Sequence, residues 1–247
     1  MVVTTSQVLT IAHRGASAYA PENTLSSLRT AVELGCDLAE VDVQRTRDGV
    51  LVLAHDAELG RTTGRNRRIS DVTYRDLQRL DAGSWFSPVY AGERIPTLEQ
   101  ALDVLGGTGT GLLLEVKHPA RYPGITADVA RALHDHEGRV VVQSFDHDVM
   151  RDFARLGTGR RVGLLGHPPV RRLRALSRWA AYVNPRHRRA TAEYVDAVHD
   201  AGMSSFVWTV DRDPDIRRAL DLRVDGVISN RPDAVTRALA DRLVPAL

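Results

Sequence analysis

Short apolar, β-branched runs alternate with helical patterns along almost all of this 247-residue chain. No other feature limits the available folds as much. The runs are Val8–Ala12, Leu38–Gln44, Val50–Ala54, Leu112–Val116, Val140–Gln143, Val162–Leu165, Tyr182–Val183, Phe206–Val210 and Gly226–Ser229. Strands this uniformly apolar are buried on both faces, as in a parallel sheet. Helical periodicity fills the gaps: a helix opened by Asn23-Thr24 and running to about Leu34, then Leu98–Leu105, Ile125–His136, Val149–Leu156, Ala192–Ala201, Ile216–Leu222 and Ala234–Leu243. Asp48-Gly49 is a hairpin signal, which makes Val50–Ala54 the return arm of the second strand. Eight strands remain, nearly every one followed by a helix, so the chain is expected to close a parallel (β/α)8 TIM barrel. An open doubly wound sheet is the alternative. It fits less well, because His13-Arg14-Gly15-Ala16-Ser17-Ala18 after the first strand lacks the glycine spacing of a dinucleotide turn.

The length suits one such barrel, so residues 1–247 are read as a single domain. One segment breaks the alternation. Asp56 to Arg94 is long and polar, with one short helical signal at Tyr74–Leu80, and is expected to be a small insertion over the active end, shaping the pocket mouth. A formal net charge of +2 gives no reason to expect a nucleic-acid partner. The single Cys36 excludes an internal disulfide framework and suits a reducing compartment. No apolar stretch approaches the roughly 18 residues of a membrane helix, and Met1–Ser6 lacks the basic stretch of a cleaved leader. A cytoplasmic setting without membrane insertion is the resulting expectation.

Five polar residues interrupt or end these apolar runs. His13 follows Leu9-Thr10-Ile11-Ala12, His55 follows Val50–Ala54, Glu40 and Asp42 lie in Leu38-Ala39-Glu40-Val41-Asp42-Val43, and Glu115 lies in Leu112–Lys117. Burying a carboxylate or imidazole in such a segment is costly unless it is paired or metal-bound. Residues two apart on a strand share a face, so Glu40 and Asp42 are expected to point together toward the barrel axis, with Glu115 joining them from the next strand. Three inward carboxylates without matching cations call for a hard divalent ion, Mg²⁺ or Ca²⁺ by their all-oxygen character. The competing reading is a buried ionic network with Arg14 and Lys117. The two histidines suit acid–base work near neutral pH. Arg14 and Lys117 add cations suited to a phosphate group. Together these residues describe a site for a phosphate ester; proton abstraction beside a metal is a second possibility.

At these residues the sequence resembles the glycerophosphodiester phosphodiesterase family. The resemblance is carried by Ala12-His13-Arg14-Gly15, Pro21-Glu22-Asn23-Thr24, Glu40-Val41-Asp42-Val43, His55-Asp56, Ile95-Pro96-Thr97-Leu98-Glu99 and Leu114-Glu115-Val116-Lys117. Ser144-Phe145, Asn184-Pro185, Trp208-Thr209-Val210 and Asp225-Gly226-Val227-Ile228 extend it to the end of the chain. The resemblance implies a TIM barrel with an insertion after the second histidine and a divalent ion on Glu40, Asp42 and Glu115. It further implies His13 and His55 as the acid–base pair, with Arg14 and Lys117 on the phosphate. The implied reaction releases glycerol 3-phosphate and an alcohol from a small-molecule glycerophosphodiester. In one place the chain departs from the pattern: Ser229-Asn230-Arg231-Pro232 stands where the family often has Thr-Asp-Arg-Pro.

Other residues carry weaker signals. Trp208 is read either as a substrate-facing pocket wall or as core, and Asn184 as a residue that could reach the pocket. Glu22 could reach the site, but a role at the start of the first helix is favoured. His118, His134, His136, His147, His167, His187 and His199 are read as surface or loop residues. The arginine runs at 171–174 and 186–189 are taken as solvated faces. A lyase acting on intact lipids and a non-catalytic phosphate-binding barrel are the rival functions. The first would favour secretion and disulfides; the second would favour loss of a histidine or acid, and none is lost.

Overall fold

The computed structural model describes residues 8–243; Met1–Gln7, including the stretch considered as a leader, and residues 244–247 lie outside the described residues. Nine strands form one sheet: β1 Leu9–Ala12, β2 Leu38–Arg45, β3 Leu51–Leu53, β4 Gly111–Val116, β5 Val140–Ser144, β6 Arg161–Leu165, β7 Tyr182–Asn184, β8 Phe206–Val207 and β9 Gly226–Ser229. The order is β7-β6-β5-β4-β2-β1-β9-β8, with β3 hanging antiparallel on β2 as the hairpin arm. Every other pairing in the sheet is parallel. The gap between β7 and β8 is bridged by Val183 N–H donating to Ser204 O (3.0 Å) and Ser204 N–H donating to Ala181 O (3.0 Å). The sheet is therefore a nearly closed eight-stranded barrel, as the alternation predicts.

Inward positions change character along the axis. Ile11, Leu38, Leu113, Val141, Tyr182, Phe206 and Ile228 form one fully apolar layer that plugs the barrel. Two residues further along several of these strands stand His13, Glu40, Glu115, Gln143, Asn184 and Trp208, so the same two-residue period that packs the plug lifts polar groups to the C-terminal rim. Gly226 in β9 makes room for the plug: a Cβ there would lie 2.7 Å from the Phe206 ring and 3.0 Å from Ile11 Cδ1. Outward residues such as Val41, Leu114, Val142 and Leu164 pack on the buried faces of α1 Leu25–Glu33, α4 Leu98–Leu105, α5 Ile125–Ala132 and α6 His147–Arg155. Each fully buried Leu or Phe there contributes about 1.5–3 kcal/mol relative to exposure, so this outer shell dominates the stability of the wall.

Several boundaries differ from expectation, for local reasons. β8 stops at Val207 rather than Val210, although Val210 N–H still reaches Ile228 O at 3.0 Å. α5 ends at Ala132, because Leu133 closes it with helical C-cap geometry, instead of running to His136. A helix the periodicity does not predict, α7 Val170–Leu176, carries the run Arg171-Arg172-Leu173-Arg174 with Leu173 buried and the arginines exposed, the solvated face expected for that run. α8 Ala192–Asp200, α9 Asp213–Asp221 and α10 Pro232–Leu243 complete the outer ring. His187 corrects the surface reading: it is buried, and its N–H donates to Trp208 O at 2.8 Å.

The segment after β3 is more ordered than its composition suggests. It holds α2 Gly60–Thr63 and α3 Tyr74–Leu77, and it has its own core of Val52, Leu59, Ile69, Val72, Leu77, Ala82 and Ile95. Two of those side chains, Val52 and Ile95, belong to the hairpin arm and the return to α4, which ties the insertion to the barrel. Among the described residues no helix is long and apolar enough to cross a membrane.

Candidate active site

The rim of the barrel surrounds an open cavity of about 280 Å³. His13, Arg14, Glu40, His55, Glu115 and Lys117 line it from the β1–β4 arc, while Phe145, Leu165, Trp208 and Ile228 line it from the β5–β9 arc. Of the eight residues singled out from sequence, seven face this cavity. Asp42 lies behind them, 1% exposed.

The acids are placed by register. Asp42 and Glu115 are direct neighbours across the β2–β4 ladder, and Glu40 is two residues before Asp42 on the same face. One carboxylate oxygen from each of the three lies within 4.8 Å of the others, and all three residues are buried. Lys117 Nζ bonds Glu115 Oε1 at 2.8 Å and stands 3.5 Å from Asp42 Oδ1. Burial, followed by the charges of Asp42 and Glu115, pushes the Glu40 carboxyl well above the usual range. Burial and Asp42 likewise raise Glu115 to about 7, against the pull of Lys117. Asp42 alone is held low, because Lys117, Arg14 and His55 together outweigh the burial that would raise it. Two of three carboxyls thus cannot comfortably stay ionised with the cations at hand. A close all-oxygen set in that condition suits a hard divalent ion, while Arg14 and Lys117 pair with its acids at 2.8–3.5 Å.

Arg14 occupies a left-handed backbone conformation, φ 54°, immediately after β1. Its N–H donates to Glu40 Oε2 at 2.8 Å and its NH1 to Glu22 Oε1 at 2.9 Å. Its Nε is buried without a hydrogen-bond partner among the described residues, 3.5 Å from Asp42 Oδ2. Leaving a buried charged donor incomplete is costly, which favours a ligand oxygen there. Gly15 permits this turn: its φ is 75°, and a Cβ would fall 2.3 Å from Ser27 Oγ.

The two histidines have different partners. His13 Nδ1 faces Asn230 Oδ1 at 2.6 Å. Asn230 Nδ2 donates to Asp211 Oδ2 at 2.7 Å, so Oδ1 must accept, and the His13 proton sits on Nδ1 with Nε2 free. His13 keeps an opening to the cavity but is ringed by protein elsewhere. Desolvation, with Arg14 beside it, lowers its pKa to about 4. His55 Nδ1 instead faces a carboxylate, Asp56 Oδ1, at 2.7 Å.

Sequence reasoning missed some participants and ranked others wrongly. Glu22 does not cap the first helix, whose N-cap is Thr24; it takes the alternative of reaching the site, where it binds Arg14 and Arg61. Asn23, read only as a helix starter, pins Asp42 twice: Nδ2 donates to Oδ2 at 2.8 Å, and Asp42 N–H donates to Oδ1 at 3.0 Å. Pro21-Glu22-Asn23-Thr24 was visible as a motif, but which side chain did what was not. Phe145 stands edge-on to Trp208, 5.5 Å between centroids, and is 54% exposed at the cavity rim. The Trp208 indole N–H donates to Asn184 O at 2.8 Å, so its ring is both anchored and pocket-facing. Asn184 itself turns away from the pocket: fully buried, it bonds Gln143 Oε1 and Phe206 N–H within the barrel. Residues 57–94 do not line this cavity, but Glu58, Leu59, Arg61, Thr62 and Ala82 line an adjoining pocket together with His55 and Asp56.

A model of the glycerophosphoryl diester phosphodiesterase family matches residues 13–234. The chain belongs to that family. A glycerophosphodiester phosphodiesterase of Caldanaerobacter subterraneus is 36% identical over 93% of this chain and 96% of its own length. One from Bacillus subtilis is 34% identical over 92% and 85%. The structure of an Oleispira antarctica phosphodiesterase in complex with the product sn-glycerol 3-phosphate superposes with a TM-score of 0.87 at 30% identity, covering 93% of this chain and 96% of that one. Membership in the glycerophosphoryl diester phosphodiesterase family makes the chain an enzyme of that class and its barrel that family's TIM barrel.

Proposed function

We propose that the protein is a metal-dependent hydrolase of glycerophosphodiesters, releasing sn-glycerol 3-phosphate and an alcohol, with residues 1–247 acting as one barrel domain in the cytoplasm. The observation that carries this is the meeting, in one cavity, of a three-carboxylate cluster, two cations and two oppositely supported histidines. The product complex of the Oleispira relative supports the choice of substrate class.

Glu40, Asp42 and Glu115 would hold the divalent ion, Mg²⁺ or Ca²⁺, which supplies charge neutralisation on the phosphate when bound. Arg14, with its incomplete Nε, and Lys117 orient the phosphodiester oxygens, and Arg matches their geometry better than a point charge would. His13 is neutral at pH 7 with its Nε2 lone pair open, so it takes the proton from the attacking oxygen. His55, whose Nδ1–H is backed by the Asp56 carboxylate, can carry a second proton on Nε2 and delivers it to the departing alcohol. Phe145 and Trp208 form an apolar wall that excludes water from one side of the substrate.

The test is to incubate the purified protein with glycerophosphocholine, glycerophosphoethanolamine and intact phospholipids, with and without Mg²⁺ or Ca²⁺, and to measure glycerol 3-phosphate. Metal-dependent release from the deacylated diesters is expected. Cleavage of intact lipids alone would favour the lyase reading instead.

A further inference from the structure

Arg61 lies in α2 of the insertion and lines no part of the main cavity, yet its guanidinium joins two carboxylates that each support a residue of the site. Its Nε donates to Asp56 Oδ2 at 2.6 Å, and its two terminal nitrogens donate to the two oxygens of Glu22, each at 2.7 Å. The other Asp56 oxygen faces His55 Nδ1 at 2.7 Å, and Glu22 Oε1 also accepts from Arg14 NH1 at 2.9 Å. We infer that Arg61 is a positioning residue for the phosphodiester reaction: a bridge from the insertion that holds His55 and Arg14 in mutual register. The inference rests on the phosphodiesterase reading above for its activity readout.

The geometry carries the argument. A guanidinium is planar, so the paired bonds to Glu22 fix its plane, and the fixed plane sets where Nε meets Asp56. Asp56 then presents one oxygen to His55 Nδ1, which keeps the ring proton there and leaves Nε2 toward the cavity. Arg61 is itself aimed from behind. Its carbon CZ lies 5.8 Å from the Trp85 ring centroid, Trp85 Nε1 donates to Ala82 O at 2.9 Å, and Leu59, two residues earlier at the start of α2, is buried in the insertion core. The Arg61 side chain is 42% exposed, and ion pairs that open to solvent add little to stability. A structural role alone therefore leaves so complete a set of bonds without a purpose. A lysine would supply charge at this point, but it could not reproduce three directed bonds to two carboxylates.

The experiment compares Arg61→Lys and Arg61→Ala with the parent, using glycerophosphocholine turnover with Mg²⁺ or Ca²⁺ and ¹⁵N NMR of the histidines at a pH where the rings are neutral. In both variants kcat is expected to fall about 10- to 100-fold, the cost of small misplacements in a reacting geometry. KM should move less than about threefold, and the thermal unfolding midpoint should stay at the parent value. Millimolar guanidinium should restore part of the activity of Arg61→Ala but not of Arg61→Lys. In the parent His55 should hold the Nδ1–H tautomer, which becomes a mixture in Arg61→Ala. Parent-level kcat in either variant, an unchanged His55 tautomer, or a loss that tracks a lowered unfolding midpoint would overturn the inference. If the parent cleaves no glycerophosphodiester, the phosphodiesterase reading fails, while the tautomer measurement still decides the role of Arg61.

Discussion

His13 and His55 open into the same cavity, but one is held by the barrel and the other by the insertion. His13 leans on Asn230 just past β9, and Asn230 leans on Asp211, so its support comes from the seam where β1, β9 and β8 meet. Its partner is neutral and its surroundings are desolvated. His55 leans on Asp56, which is held by Arg61, itself held by Glu22, in a partly exposed ionic relay outside the barrel wall. The contrast shows how one fold gives two imidazoles different settings: burial lowers the pKa of His13, and a carboxylate orients the ring of His55. It also shows that the insertion reaches the centre through Asp56 and Arg61.

The strongest way to break this comparison is to remove each ring. His13→Ala and His55→Ala should each lower kcat by about 10²–10⁴-fold with the fold and metal binding retained, and the double variant should lose less than the product of the two. Steady-state kinetics on glycerophosphocholine check this, and parent-level kcat in either single variant would remove that histidine from the chemistry. A second test attacks the metal set: Glu115→Ala should weaken Mg²⁺ or Ca²⁺ binding, measured by calorimetry, while circular dichroism stays that of the parent. The apolar plug lies a layer below Glu115, so the barrel should survive its loss.

The supports themselves give a smaller effect and sharpen the contrast. Asp56→Asn should lower kcat more than Asn230→Ala does, about 10²-fold against about tenfold. An amide at position 56 can turn its N–H toward His55 and favour the wrong tautomer, whereas His13 without Asn230 keeps its surrounding walls. Equal losses would mean that the two settings are equivalent after all.

The smallest effect is on stability. His13 has a lowered pKa of about 4 in the folded protein, so between pH 6.5 and 4 the unfolded chain binds a proton that the native state refuses. Stability from this group is therefore unaffected above pH 6.5, falls as pH drops through that window, and levels off below it. The difference should be about 1–3 kcal/mol, less if cavity water reaches the ring. Denaturant titrations of the parent and of His13→Gln across pH 4–7 should show a shallower decline in the variant.

The fold was legible because its signals are periodic. Apolar runs and amphipathic helices repeat in order, and the Glu40/Asp42 pair announces its own facing through the two-residue strand period. The cluster of acids, cations and histidines could be assembled from strand ends alone. The residues that orient them could not, because their partners are remote in sequence: Asn230 lies 217 positions from His13, and Arg61 lies 39 positions from Glu22. Asn23 illustrates a nearer failure, since a polar residue before a helix reads as a cap whether it bonds the helix or, as here, Asp42. His187 was misread because its neighbours in the run Arg186–Arg189 are exposed while it alone turns inward.

Metal titration of turnover probes the carboxylate centre most directly. Protein stripped with chelator should release no glycerol 3-phosphate from glycerophosphocholine, and added Mg²⁺ or Ca²⁺ should restore release in a saturable way, with Glu115→Ala requiring far more ion. Full release after exhaustive chelation would contradict a metal on Glu40, Asp42 and Glu115, and with it the proposed use of this centre.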